Sequence, residues 1–484
     1  MKSFLTAMVI VLVATFAGSA WGADISNPTR DIPAGWFVGP VIPDITANDS
    51  DVPIVVSPLD TVSIKLSIYP GILSGKNVDW WVGVQTPWNP PHHWVSYVYP
   101  EGWKDDIRRS FNGALFQIDG MQLYSMPLTV GQYVFYFCVS DPDGAPIGTW
   151  LGMDSVEVSV VEGYNAGDKA SDELKKYLTE DDFKTLFPHA GEGKPFSIPD
   201  AADNLYSYEN MLKGLDKKQE FAVFLSQGDD TTKRLELAAI LANWAQETTG
   251  GWATASDGYT AYGLYYSEEV GVRGKEAPDW MSEEDRKAEN ERICASFRYY
   301  DASSDAARNY LPTEEPSCPP ISNGCFFGRG PIQLSWNANY GRFSEFIYGD
   351  KMELLDDPDE IVKDGALAFA SGFWFWTMYN DSEHIRNETC HNVMVDHGVK
   401  GFGRTLNIIN GGIECNHKLP KMEYNKDIGQ YNVDKTRRRA DHFHRFADIL
   451  GVGDQLPTRP EGYATNDEAW NTYYEEILEG CIEK

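Results

Sequence analysis

At 484 residues the chain is longer than one hydrophobic core usually spans, and 42% apolar residues exclude a disordered protein, so two domains are expected. A formal net charge of −31 argues against nucleic acid and anionic membrane surfaces, both of which repel a strongly acidic chain. A neutral or cationic partner fits that charge, and so does a plain solubility role.

Residues 1–22 read as a secretory signal peptide. Lys2 supplies the positive start, Leu5 to Phe16 an apolar core, and Gly18 to Ala23 the small residues of a cleavage site. The run is too short for a membrane span, and no later stretch is long and apolar enough to make one. A mature protein starting near Ala23 is expected outside the cell, or in the periplasm of a Gram-negative host. Export permits disulfides among the seven cysteines, Cys138, Cys294, Cys318, Cys325, Cys390, Cys415 and Cys481. There is no CxxC pair and no HExxH, so neither a metal site nor a cofactor is expected.

Residues 24–162 carry the pattern of a β-sandwich-like accessory domain. Val62, Ile64, Leu66 and Ile68 alternate with polar or small residues, as do Val156, Val158 and Val160, while Tyr133 to Val139 suits a central strand. Turn clusters such as Asp141-Pro142-Asp143-Gly144 separate the runs. Trp80, Trp81, Trp88, Trp94 and Trp103 crowd one stretch around Pro90-Pro91-His92-His93. Packing of the domain is the favoured reading of these rings, and a stacking platform for sugars is the alternative.

Residues 163–177 read as a linker, and from 178 to 484 the period becomes helical. Thr179 is a candidate N-cap with Asp182 at the third helical position. Leu237, Ile240, Leu241 and Trp244 form one apolar stripe of a helix that reaches Glu247 and stops at Thr248-Thr249-Gly250-Gly251. Gly365 to Met378 is apolar throughout, a buried core helix, and Ala440 to Leu450 gives a further stripe. The fold class expected is therefore α+β multidomain, a strand-built N-terminal part followed by a mainly helical one.

Glu247 closes an apolar helix beside Trp244. A carboxyl at the edge of an apolar surface gains the raised pKa that a general acid needs, whereas a surface glutamate at a helix end needs no function. Glu268 and Glu269 follow a stretch rich in Tyr, Gly and Trp. Two carboxylates on facing walls of an aromatic cleft are what glycoside hydrolysis requires.

Gln246-Glu247-Thr248-Thr249-Gly250-Gly251-Trp252-Ala253-Thr254 closely resembles the catalytic helix end of family 19 glycoside hydrolases, the plant-type chitinases. Gly328-Arg329-Gly330-Pro331-Ile332-Gln333-Leu334-Ser335 and Asn407-Ile408-Ile409-Asn410-Gly411-Gly412-Ile413-Glu414-Cys415 resemble its second and third signatures, and Asp448 to Val452 is similar to its tail. The motifs stand in family order over roughly residues 174–453.

The resemblance implies a lysozyme-like helical fold with a deep cleft, and an endochitinase that inverts configuration at the β-1,4 bonds between N-acetylglucosamine units. It puts the general acid on Glu247 and the general base on Glu269, with Glu268 as the rival if the loop differs by one residue. Ser335 would help hold the nucleophilic water. Thr249, Gln333, Asn339, Tyr340 and Asn410 would line the sugar sites, and Glu414 with Arg439 would support the acid. Inverting enzymes keep their carboxyls about 6.5–9.5 Å apart, with room for that water.

This chain departs from the family in carrying Gln246 where histidine is usual and in lacking a cysteine in Leu264-Tyr265-Tyr266. It also inserts an acidic stretch from about Arg273 to Pro316. By the resemblance Cys318 pairs with Cys325 and Cys415 with Cys481, leaving Cys294 and Cys390. A monomer acting on chitin or its oligosaccharides is expected. The rivals are a peptidoglycan muramidase on a related scaffold and a sugar-binding protein without activity.

Overall fold

A computed structural model describes residues 41–50, 54–87, 93–142, 150–161, 169–193, 202–252, 254–298, 307–313, 325–378, 389–415, 424–425, 430–431, 434–460 and 467–482. The signal-peptide segment, Trp88 and Cys318 lie outside these residues.

The N-terminal region is built of strands: β1 (Ile42–Ala47), β2 (Ile54–Val56), β3 (Val62–Tyr69), β4 (Asn77–Thr86), β5 (His93–Val98), β6 (Gly102–Asp105), β7 (Phe111–Ala114), β8 (Ile118–Met126), β9 (Gly131–Ser140) and β10 (Trp150–Val160). One sheet has the order β1-β3-β8. The other runs β2-β10-β9-β4-β5-β6, with β7 also paired to β4. The β2–β10 pair is parallel and the other pairs of these two sheets are antiparallel.

Val62, Ile64, Leu66 and Ile68 all point to one face of β3 and are buried, because a pleated strand sends alternate side chains to opposite sides. They share an apolar cluster with Tyr133, Phe135, Phe137 and Val139 of β9, so residues of both sheets meet in one core. Trp80 and Trp81 are only 5% and 8% exposed. The Trp81 indole donates to Ser140 Oγ at 3.0 Å, and the Trp80 ring stacks on Phe137. Trp94 lies against Tyr136 and Trp103 against Tyr97. These four described tryptophans pack against the sheet.

Within the stretch expected to be a linker, Ala170–Leu174 forms a helix and Leu174 is buried in the core of the helical region. Thr179 and Asp182 close a capping box, each side chain bonded to the other's backbone N–H. The helix that carries Glu247 spans Asp230–Thr248 and is N-capped by Asp229, whose carboxylate accepts from Thr232 N at 2.9 Å. Its Trp244 is buried against Phe369 and Phe373 of the helix Gly365–Thr377, which is buried along its whole length. Gly372 is required at that crossing: a Cβ there would stand 2.8 Å from the Trp244 indole. The helix Lys435–Ile449 packs along the Glu247 helix from the other side. Among the described residues no helix is long and apolar enough to cross a membrane.

Cys415 and Cys481 form a disulfide, as the resemblance implied. The Cys318–Cys325 pairing is corrected: Cys325 is a free thiol, buried in a small cluster with Val272, Ala277, Ile293 and Phe327. Cys294, on the helix Glu283–Phe297 of the acidic insertion, is disulfide-bonded instead. The insertion thus contributes Ala277 and Ile293 to a small core shared with Val272, Cys325 and Phe327. Cys390 is also free and buried.

His442 sits fully buried in the helix Lys435–Ile449, and neither ring nitrogen has a hydrogen-bond partner among the described residues. Burial, then the charges of Arg445, Arg439 and Arg438, push its pKa down to about 3. An unfolded histidine titrates near 6.5, so between about pH 6.5 and 3 the unfolded chain binds a proton that the folded one refuses. The stability contribution is intact above the unfolded value and drains away at up to roughly 1.4 kcal/mol per pH unit as pH falls. His442→Phe is therefore expected to flatten the acid side of the stability profile. Urea midpoints of both proteins at pH 7 and pH 5 check this, and parallel profiles would refute it.

Candidate active site

The Glu247 helix ends in a glycine turn. Gly250 and Gly251 have φ of +60° and +68°, a left-handed conformation that costs other residues free energy. Gly251 has no room for a side chain, because a Cβ would fall 2.1 Å from the carbonyl oxygen of Tyr259. The turn ends the helix with Glu247 at its rim and the Glu247 side chain 18% exposed.

Glu247 opens into a cavity of about 290 Å³. Gln246, Thr248 and Thr249 of the same helix end form one wall, and Tyr266, Glu268, Glu269 and Val270 another. Gln333 comes from the second motif, and Asn410, Glu414, Lys435 and Arg439 from two later helices. The expected residues Glu247, Glu269, Thr249, Gln333, Asn410, Glu414 and Arg439 are thus brought together from distant parts of the chain.

Arg439 is 1% exposed and organises the Glu247 side of the cavity. Its Nη2 donates to Glu247 Oε1 in a short contact and to Glu414 Oε1 at 2.9 Å. Its Nε donates to Glu414 Oε2 at 2.9 Å and its Nη1 to Asn243 Oδ1 at 3.1 Å. Asn410 Nδ2 donates to Glu414 Oε1 at 3.0 Å. Asn410 leaves helical geometry inside the helix Gly401–Glu414, with φ −151° and ψ 33°. Burial works against ionisation of Glu414, but the charge and hydrogen bonds of Arg439, with the Asn410 amide, outweigh it and hold the carboxyl below its usual range.

The two neighbouring glutamates across the cavity differ in surroundings. Glu268 is 4% exposed and clamped by Arg273, whose Nε and Nη2 donate to it at 2.9–3.1 Å. The other face of Arg273 donates to Asp359, which also takes Arg329. Glu269 is half-buried, and its backbone N–H donates to Gly328 O at 2.8 Å, tying it to the second motif. Glu268→Gln is expected to lower the thermal midpoint while leaving kcat near wild type, because it removes one carboxylate of a buried ion network. Glu269→Gln is expected to do the reverse. Melting curves and rates on the two variants decide, and the opposite pattern would give Glu268 the role expected of Glu269.

Ser335 and Asn339 lie just outside this cavity lining. Ser335 Oγ donates to Gln333 O at 2.9 Å, and Asn339 Nδ2 donates to Ser335 O at 3.0 Å. Tyr340, expected at a sugar site, is fully buried. Its hydroxyl donates to Phe327 O at 2.7 Å and accepts from Arg329 at 2.9 Å, so it holds the Arg329 turn from behind.

Asn243, Arg273 and Lys435 were missed from sequence. Asn243 carried a usable signal: a polar side chain inside an apolar stripe, one helical turn before Glu247. Gln246 packs its amide against Gly250, and its Oε1 is a buried acceptor with no partner among the described residues.

The chitinase class I family model matches residues 197–290 and 287–455, more than half of the chain. Curated relatives include "Endochitinase A2" of Pisum sativum, 28% identical over 60% of this chain and 72% of that protein. "Chitinase 12" of Oryza sativa subsp. japonica is 32% identical over 52% of this chain and 64% of its own length. "Basic endochitinase" of Vitis vinifera is 29% identical over 58% of this chain and 73% of that protein. Among solved structures, a family GH19, class IV chitinase from Zea mays aligns with 57% of this chain and 94% of its own at 20% identity. Its TM-score is 0.34. On the extent of the family match, with the strand-rich segment before residue 197 lying outside it, the chain belongs to the class I chitinases of glycoside hydrolase family 19.

Proposed function

We propose that the protein is an exported endochitinase that cleaves β-1,4 bonds between N-acetylglucosamine units with inversion. Glu247 is the general acid and Glu269 the general base. The observation that carries this reading is the asymmetry of one cavity. On one side Glu247 faces a fixed cation shared with Glu414. On the other Glu269 stands half-buried while its neighbour is locked away by Arg273.

A neutral carboxylic acid at Glu247 would donate its proton to the glycosidic oxygen, and the resulting carboxylate would be met at once by Arg439. Glu269 would take a proton from a water that attacks the anomeric carbon from the opposite face. Ser335 would orient that water after rotating its hydroxyl away from the Gln333 carbonyl. The amides of Gln333 and Asn410 suit the N-acetyl and hydroxyl groups of the sugar.

In this reading residues 178–484 are a lysozyme-like catalytic domain acting as a monomer, and residues 24–162 a β-sandwich-like accessory domain. The Cys415–Cys481 disulfide supports an oxidising destination. The test is the anomeric form of fresh product from a chitin hexamer, followed by proton NMR before mutarotation. Product of the α form supports the assignment. The β form points to retention, and turnover of cell-wall peptidoglycan without turnover of the hexamer points to a muramidase.

A further inference from the structure

The family match ends at residue 455, yet the chain continues into a helix, Asp467–Ile477, that packs on the Arg439 helix. The tail is anchored by buried side chains. Tyr473 OH is 2.7 Å from His444 Nδ1, and Asn471 Oδ1 accepts from Arg437 at 3.3 Å. Its most connected contact is Asp441.

Asp441 is fully buried on the face of its helix turned away from the catalytic cavity. Three residues from two parts of the chain donate to its carboxylate. Tyr474 OH reaches both oxygens at 3.0 and 3.1 Å, Arg459 Nη2 donates at 3.0 Å, and Tyr259 OH donates in a short contact. Tyr474 and Arg459 belong to the tail. Tyr259 belongs to the loop that follows the catalytic helix.

That loop reaches the cavity. The Tyr259 backbone presses on Gly251, and Arg438 Nη1 donates to Gly251 O at 3.2 Å, so the Arg439 helix grips the loop at two points. Next to Gly251 stands Trp252, 39% exposed. Its ring contacts Tyr262 at 4.3 Å and Tyr265 at 5.8 Å, and Tyr265 contacts Tyr266, which lines the cavity. A continuous wall of rings therefore runs from the cavity to the loop that Asp441 holds.

We infer that Asp441 is a positioning residue for substrate binding: with Tyr474 and Arg459 it lets the C-terminal tail fix the loop 250–262, and with it the aromatic wall beside Glu247. Aromatic walls stack sugars only when their rings keep their spacing, and a loop pinned at one point transmits that order to its neighbours. The brace acts on binding of the oligosaccharide rather than on the proton transfer, because none of its members reaches Glu247 or Glu269.

The experiment compares Tyr259→Phe and Tyr474→Phe, each of which removes one hydroxyl and keeps the ring. Steady-state kinetics on chitin hexamer are combined with amide hydrogen exchange over residues 250–262. The expected result for both variants is a KM about tenfold higher, the loss of one hydrogen bond to a charged group, with kcat held within about twofold. Exchange in the loop should quicken by a similar factor. KM and loop exchange both unchanged in either folded variant overturns the proposal. So does a fall in kcat at constant KM, which would place the effect on the chemistry.

The kinetic arm rests on the chitin-cleaving reading above. The exchange arm does not: a wild-type protein inert toward the hexamer would defeat that reading while loop exchange still judged the brace.

Discussion

Glu247→Gln is expected to lower turnover of a chitin hexamer by about 10²–10⁴-fold, the ordinary worth of general acid–base help, while oligomer binding measured by calorimetry survives. The amide keeps the shape of the carboxyl and can still accept from Arg439, so the cavity should hold its form. It cannot give up a proton to the leaving oxygen. A variant that retained more than about a tenth of the wild-type rate would fall outside that range and remove Glu247 from its assigned role.

Arg439→Met should unfold the protein more readily than any change at the cavity surface. The guanidinium is 1% exposed and serves Glu414, itself 4% exposed, together with Glu247 and Asn243. Taking away one partner of a buried pair strands the other charge at a cost of about 3–5 kcal/mol. Urea denaturation at neutral pH measures it, and a loss below about 1 kcal/mol would mean that water reaches Glu414 freely. Adding Glu414→Gln to Arg439→Met should recover part of the loss, because the stranded carboxylate is then gone. The wild-type pair also has an acid limit. Glu414 has its folded pKa depressed, so its contribution is full above the unfolded value near 4.3 and disappears as pH falls through the folded one.

The features legible in the sequence are those in which cause and effect lie close along the chain. The apolar stripe Leu237, Ile240, Leu241 and Trp244 marks one helix face, Thr179 and Asp182 cap each other three residues apart, and the glycines after Glu247 end a helix locally. The alternation in Val62 to Ile68 shows a strand because the pleat has a period of two. The residues that were missed act across the chain. Arg273 gains its meaning from Asp359, and Asn243 from Arg439, partners that periodicity does not reveal.

Tyr340 follows the second motif by five residues, but the turn of its helix sends it inward, and nearness to a motif says nothing about direction. Cys325 is a free thiol packed against Ile293 of the insertion, a neighbour far from it along the chain. That depends on tertiary structure.

The contact between Arg439 and Glu247 joins residues 192 positions apart. During synthesis the Glu247 helix therefore leaves the ribosome long before the stretch of chain that supplies Arg439, and the segment that grips Asp441 follows later still. The N-terminal sheets, whose strands meet within the first third of the sequence, can close on their own schedule. Long-range pairing is slow because loop-closure entropy must be met before the contact rewards it. On refolding from denaturant, the near-ultraviolet signal of the strand region should return before hydrolytic activity does.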